Sequence, residues 1–162
     1  MSIVLEPIGV IHSPFREPVG MPIQPRFAAG VEGEAEIFDV FAEGLADLAG
    51  FSHLHLIYHL HRAGGYSLVV TPYLDDVPRG LFATRAPRRP NPLGLSVVRL
   101  VRVTGNRLAL AELDVVDGTP LLDIKPFNPA IDNRTDCRVG WMEGRVEAGG
   151  GIADARFVDD HR

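Results

Sequence analysis

Apolar residues recur along this chain in short runs cut by proline and glycine, and no long stretch carries the three-to-four spacing of an amphipathic helix. Such a pattern predicts β structure. Strands are expected over Pro7–Ser13, Gly33–Phe38, Ser52–His61, Ser67–Tyr73, Leu81–Thr84, Leu95–Val103, Arg107–Val115 and Leu121–Pro126, with one short helix inside Asp39–Ala49. Strands of this number and spacing remove their unpaired edges by closing, so the expected fold is mainly β, a single closed or partly closed β-barrel with short helices. Residues 1–143 are assigned to the barrel domain and residues 144–162 to a C-terminal tail, in which Gly149-Gly150-Gly151 reads as a flexible link and Ile152–Val158 as a short helix.

A chain of 162 residues with 46% hydrophobic content has room for one real core, and two domains are not expected. Met1 to Val10 is interrupted by Glu6 and Pro7 and lacks a basic leader before a long apolar run, so neither a signal peptide nor a membrane span is expected. The single cysteine, Cys137, cannot form an intrachain disulfide, which points to a cytoplasmic protein.

Charge changes the picture at one place. The chain carries 16 basic and 21 acidic residues, a formal charge of -5, yet from Arg79 to Arg102 there are six arginines and no acid. Within that stretch Pro87, Pro90 and Pro92 fix their own φ and push their predecessors toward extended backbone. Arg85, Arg88, Arg89 and Asn91 therefore sit on a stiff loop. Such a loop is either a solvated connector or the docking point of an anionic partner.

The sequence lacks the Gly-rich strand-turn-helix fingerprint of a dinucleotide or phosphate site, which excludes a Rossmann methyltransferase on pattern. It also lacks a Gly-x-Ser-x-Gly elbow, a His-Glu-x-x-His helix and paired cysteines. His53, His55, His59 and His61 would share one face of a strand, as metal ligands or as hydrogen-bonded core or interface histidines. No carboxylate lies nearby in the sequence to complete a shell, and the expectation is that no metal is bound.

Phe82-Ala83-Thr84-Arg85 followed by Arg89-Pro90-Asn91-Pro92-Leu93-Gly94, with Val116-Asp117-Gly118-Thr119-Pro120 and Asp123-Ile124-Lys125-Pro126 downstream, resembles the TsaA-like (TrmO) family. Two further signatures of that family stand in order: Ile8-Gly9-Val10-Ile11-His12-Ser13-Pro14-Phe15 with Gln24-Pro25, and Gly50-Phe51-Ser52-His53-Leu54. The resemblance implies a β-barrel that binds S-adenosylmethionine, works as a homodimer and methylates N6 of threonylcarbamoyladenosine at position 37 of tRNA. It implies a cofactor set of Gln24, Pro25, Arg26, His61, Arg62, Arg85, Leu95, Asp117, Gly118, Thr119 and Pro120. Many family members continue into a second domain after the barrel, which is not expected in this chain.

Within that set, chemistry suggests roles. The planar guanidinium of Arg85, at the expected end of a strand, suits the methionine carboxylate. Asp117 and His61 are the candidates for assisting proton removal from the acceptor. Arg88, Arg89, Asn91 and Lys125 are the candidates for RNA contacts. A methyltransferase with a different acceptor, and a metal- or ligand-binding barrel without catalysis, remain open alternatives at this point.

Overall fold

The computed structural model describes residues 1–148 and 151–158. Its centre is a closed barrel of six antiparallel strands. In chain order the strands are β1 (Gly9–His12), β2 (Glu32–Ile37), β3 (His53–His59), β4 (Val69–Val70), β5 (Arg79–Gly80), β6 (Leu93–Thr104), β7 (Arg107–Ala111) and β8 (Thr119–Pro126). Around the barrel they run β1-β2-β7-β6-β3-β8, while β4 and β5 pair separately. The fold is thus the expected mainly β barrel, and it is not a Rossmann sheet.

Alternation decides what lies inside. Leu54, Leu56 and Tyr58 of β3 point inward, as do Val98 and Leu100 of β6 and Leu108 and Leu110 of β7. Ile11, Ala35, Ile37, Leu113, Val115 and Leu121 complete the core. Phe41, Leu45 and Leu48 pack against this core from the segment between β2 and β3. The helix expected in Asp39–Ala49 is two 3-10 segments, Asp39–Leu45 and Leu48–Gly50, separated where Asp47 adopts a left-handed φ of 64°.

Two expected strands are corrected. Leu81–Thr84 is a 3-10 turn over Leu81–Ala83, because the Thr84 amide and hydroxyl both donate to the Leu81 carbonyl and fold the chain back. Arg85 accordingly follows a turn, not a strand. Of Ser67–Tyr73 only Val69–Val70 pairs, with Arg79–Gly80. In the tail, Ile152 forms a bridge with Pro22, and the expected helix over Ile152–Val158 is reduced to a 3-10 turn at Ala155–Phe157. A short helix, α2 (Arg145–Ala148), precedes the glycines instead, α1 being Pro129–Asp132. Gly149 and Gly150 of the expected flexible link lie outside the described residues. No described helix is long and apolar enough to cross a membrane.

One close approach fixes the end of the barrel. A Cβ at Gly94 would lie 2.0 Å from the Tyr58 ring, so glycine at that position is what lets the ring stay packed in the wall between β3 and β6. Gly94→Ala must displace the ring or the strand, an overpacking cost of about 1–3 kcal/mol. Urea unfolding should show this loss, and a change within about 0.5 kcal/mol, the range of an uneventful surface substitution, would show that the wall is softer than this packing implies.

Candidate active site

Strand β3 ends, and β6 and β8 begin, at the same end of the barrel. A cavity of about 920 Å³ opens there and runs along the outer side of β3. Its volume is that of a pocket for a nucleoside-sized ligand. Ile23, Leu60, Leu95 and Val116 supply apolar wall, and Thr84, Thr119 and Asp114 supply polar groups.

Of the residues expected at a site, Gln24, Pro25, Arg26, His61, Arg62, Arg85, Leu95 and Thr119 line this cavity, and Arg89 does so too. Gln24 and Pro25 lead into the 3-10 turn Pro25–Phe27, which presents Arg26. His61 follows the end of β3, where its amide bonds the His59 carbonyl. Burial and the charges of Arg62 and His59 hold its pKa below the ordinary histidine value, favouring neutral imidazole. Thr119 Oγ1 donates to the Val116 carbonyl at 2.7 Å and lies 3.3 Å from His61 Nδ1. With its one proton so used, the hydroxyl accepts from Nδ1–H, which leaves Nε2 as the acceptor nitrogen of His61.

Asp117, Gly118 and Pro120 do not line the cavity. Asp117 accepts from the Ser13 amide at 3.1 Å and from Arg16 Nη1 at 2.8 Å, and these partners hold its carboxyl below the usual carboxylate range. It ties the segment after β1 to the turn before β8. Gly118 in that turn has φ of 78°, a conformation glycine adopts without steric cost.

The RNA candidates divide in the same way. Arg89 Nη1 donates to the carbonyls of Thr84 and Ala86 at 3.1 and 3.2 Å and reaches that of Leu81 at 3.4 Å, so it braces the proline loop from within. Its guanidinium also lies 5.8 Å from the centroid of the Phe82 ring, which is 74% exposed. Asn91 is exposed, Arg88 is partly covered, and Lys125 pairs with Asp123 at 2.8 Å on the outside of β8.

The histidines do not gather. His53 meets the Phe127 ring edge-on and His55 meets it at a tilt, His55 lies 3.3 Å from Asp132, and His61 reaches Thr119 beyond the strand. Among the described residues no group of three or more metal-capable side chains converges.

Sequence reasoning missed the most unusual group in the cavity wall. Tyr58 Oη lies 2.9 Å from Ser96 Oγ, and Ser96 Oγ donates to Asp114 Oδ1 at 2.6 Å. Since Ser96 spends its proton on Asp114, Tyr58 is the donor to Ser96. All three residues are buried. Burial pushes the Asp114 carboxyl up to about 6, against the opposing pull of the Ser96 hydroxyl and the Arg85 charge. Burial and the Asp114 charge push the Tyr58 phenol well above its ordinary value. Strand parity was the available signal: Ser96 alternates with the inward Val98 and Leu100, and Tyr58 with the inward Leu54 and Leu56.

The sequence profile of the tRNA-methyltransferase O N-terminal domain matches residues 10–133. This chain belongs to that family. A relative from Pyrococcus abyssi described as a probable S-adenosyl-L-methionine-binding protein is 53% identical over 146 residues, covering 90% of this chain and 79% of the relative. The tRNA (adenine(37)-N6)-methyltransferase of Escherichia coli is 36% identical over 157 residues, 91% of this chain and 67% of its own length. The crystal structure of TrmO from Pseudomonas aeruginosa superposes with a TM-score of 0.74 at 39% identity over 87% of this chain and 63% of that one. The TrmO-family barrel is therefore shared, while this chain spans less than two thirds of the solved Pseudomonas protein.

Asp114 should also be visible in stability. Its folded pKa is raised above the unfolded value of 3.8, so the folded state holds the proton longer and stability falls as pH rises from about 4 through 6, then levels. Asp114→Asn keeps an acceptor for Ser96 and removes the buried charge. At pH 8 it should be more stable than the parent by about 2–3 kcal/mol, and at pH 4 only as stable as the parent. A parent chain as stable at pH 8 as at pH 5, with no gain from the variant, would contradict this burial.

Proposed function

We propose that this chain is an S-adenosylmethionine-dependent methyltransferase that acts on N6 of threonylcarbamoyladenosine at position 37 of tRNA. The observation that carries the reading is how the arginines near the cavity are committed. Arg79 and Arg145 are bound to Asp75, Arg156 to Asp154, and Arg89 to loop carbonyls. Arg26, Arg62 and Arg85 line the cavity and have neither hydrogen bond nor ion pair among the described residues. Three such cations, in a mainly apolar pocket that also holds the carboxylates of Glu112, Asp114 and Asp132, suit a ligand that carries a carboxylate, a cationic centre and a flat apolar part.

The residues present fit S-adenosylmethionine. Leu60, Leu95 and Val116 offer wall to an adenine, His61 Nε2 and Gln24 offer hydrogen-bonding atoms, and Arg85 offers a fork to a carboxylate. When bound, the cofactor supplies an electrophilic methyl group. Direct displacement on that methyl needs no covalent help, so the chain's part is to align the acceptor and exclude water. Neighbouring phosphates and the threonyl carboxylate of the acceptor are anionic, which suits Arg26, Arg62 and the basic loop. Phe82, exposed under Arg89, offers a face on which an unstacked base can rest. The relatives named for S-adenosylmethionine binding and for tRNA adenine methylation support the same reading.

The test is transfer of radiolabelled methyl to tRNA with and without threonylcarbamoyl modification, followed by nucleoside analysis. The modified tRNA should be labelled at N6 and the plain tRNA hardly at all. Arg85→Ala should weaken S-adenosylmethionine binding by roughly tenfold or more, the loss of about 1.5–3 kcal/mol expected for a charged hydrogen bond. Equal labelling of both tRNAs rejects recognition of the threonyl group, and absence of labelling with the cofactor demonstrably bound moves the acceptor elsewhere.

A further inference from the structure

Tyr58, Ser96 and Asp114 form a buried hydrogen-bonded chain, and burying its carboxylate costs stability that an apolar side chain would not. Asp114 has no salt bridge among the described residues; its carboxylate accepts from the Ser96 hydroxyl and from its own backbone amide, and it lines the cavity. A buried carboxylate kept in such surroundings is a mark of chemistry. We propose that Asp114 accepts the proton released from N6 of the acceptor base during methyl transfer, with Ser96 and Tyr58 as positioning residues that hold its carboxylate. This rests on the methyl-transfer reading above.

The acceptor nitrogen makes a base necessary. N6 of a carbamoylated adenine lies between the purine ring and a carbonyl, both of which draw on its lone pair, so it attacks well only as its proton leaves. In the step, the N6 electron pair forms the bond to the methyl carbon. The carbon–sulfur bond breaks with its pair going to sulfur, and the sulfonium becomes a neutral thioether. The N6–H bond pair stays on nitrogen, and the proton passes to the Asp114 carboxylate and later to solvent. Sulfonium cation and carboxylate anion are thus both discharged in one event, which a buried, low-dielectric site favours.

The other candidates are less suited. Asp117 lies outside the cavity lining, held ionised by the Ser13 amide and Arg16. His61 lines the cavity, but taking a proton would make it a cation beside Arg62. The groups that face Asp114 are Tyr58 from β3, Ser96 from β6 and, by its charge, Arg85 from the loop after the Leu81–Ala83 turn. Burial opposes the ionised carboxylate, while the Ser96 hydroxyl, its own backbone amide and the Arg85 charge favour it.

The experiment is single-turnover methyl transfer to threonylcarbamoyl-modified tRNA by the full chain at saturating S-adenosylmethionine, from pH 5 to 8.5, with calorimetric cofactor affinities in parallel. The wild-type rate should rise about tenfold per pH unit below pH 6 and level above it. Asp114→Asn should lose roughly 10²–10⁴-fold in rate, show a flat profile and bind the cofactor within threefold of wild type. Ser96→Ala should keep a rising profile with its midpoint moved to higher pH, a shift that a merely structural serine would not produce. If the Asn variant folds poorly, Asp114→Ala with added formate supplies the decision, since restored turnover requires a missing base. A wild-type rate and profile in Asp114→Asn overturns the proposal. So does a loss confined to cofactor affinity, which would make Asp114 a sulfonium-binding group, or the same flattening from His61→Ala alone. A wild-type chain that binds the cofactor and methylates no tRNA removes the underlying reading, and the proposal with it.

Discussion

Strand β8 closes the barrel by pairing with β1 along one edge and β3 along the other, and its register with β3 slips between Ile57 and Tyr58. The slip leaves Leu122 of β8 without an opposite residue: Ile57 faces Asp123, and Tyr58 faces Leu121. Such a bulge bends and twists the strand locally, and it lies beside the residue whose ring packs over Gly94. The Tyr58 ring joins the barrel wall to the buried polar chain. It occupies the space that Gly94 leaves, it reaches Ser96, and through Ser96 it fixes Asp114.

Around this buried chain the protein sorts its arginines into two groups. Arg79, Arg145 and Arg156 serve the packing of the C-terminal segment, where Asp75 is buried between the first two and Arg156 lies over Tyr73. Arg89 holds the proline loop closed, and Trp141 Nε1 adds a bond to the Ala83 carbonyl from outside. Rigidity of the loop thus comes from internal hydrogen bonds as well as from Pro87, Pro90 and Pro92. Against that fixed background Arg26, Arg62 and Arg85 line the cavity with no hydrogen bond or ion pair among the described residues, beside the carboxylates of Glu112, Asp114 and Asp132.

Much of this was legible in the sequence, because period-two alternation survives in β3, β6 and β7 and directly sets what is inside. The proline loop was legible too, and motif order named Gln24, Pro25, Arg26, His61, Arg62, Arg85, Leu95 and Thr119, which line one cavity. What escaped depended on contacts between residues far apart in the chain. Thr84 bonding Leu81 turned an expected strand into a 3-10 turn, and Arg16 reaching Asp117 took that carboxylate out of the cavity wall. Asp114 escaped because it sits in the apolar run Leu113–Val116, where only its meeting with Ser96 shows that it is buried and polar for a reason.

A crystal structure of the chain with S-adenosylhomocysteine tests the central claim most directly. The account predicts the ligand inside the cavity, its carboxylate on Arg85, and its sulfur on the side of Asp114 so that an acceptor nitrogen can lie between sulfur and carboxylate. A ligand seated on the outer face of the barrel, or one whose sulfur is walled off from Asp114, would contradict it.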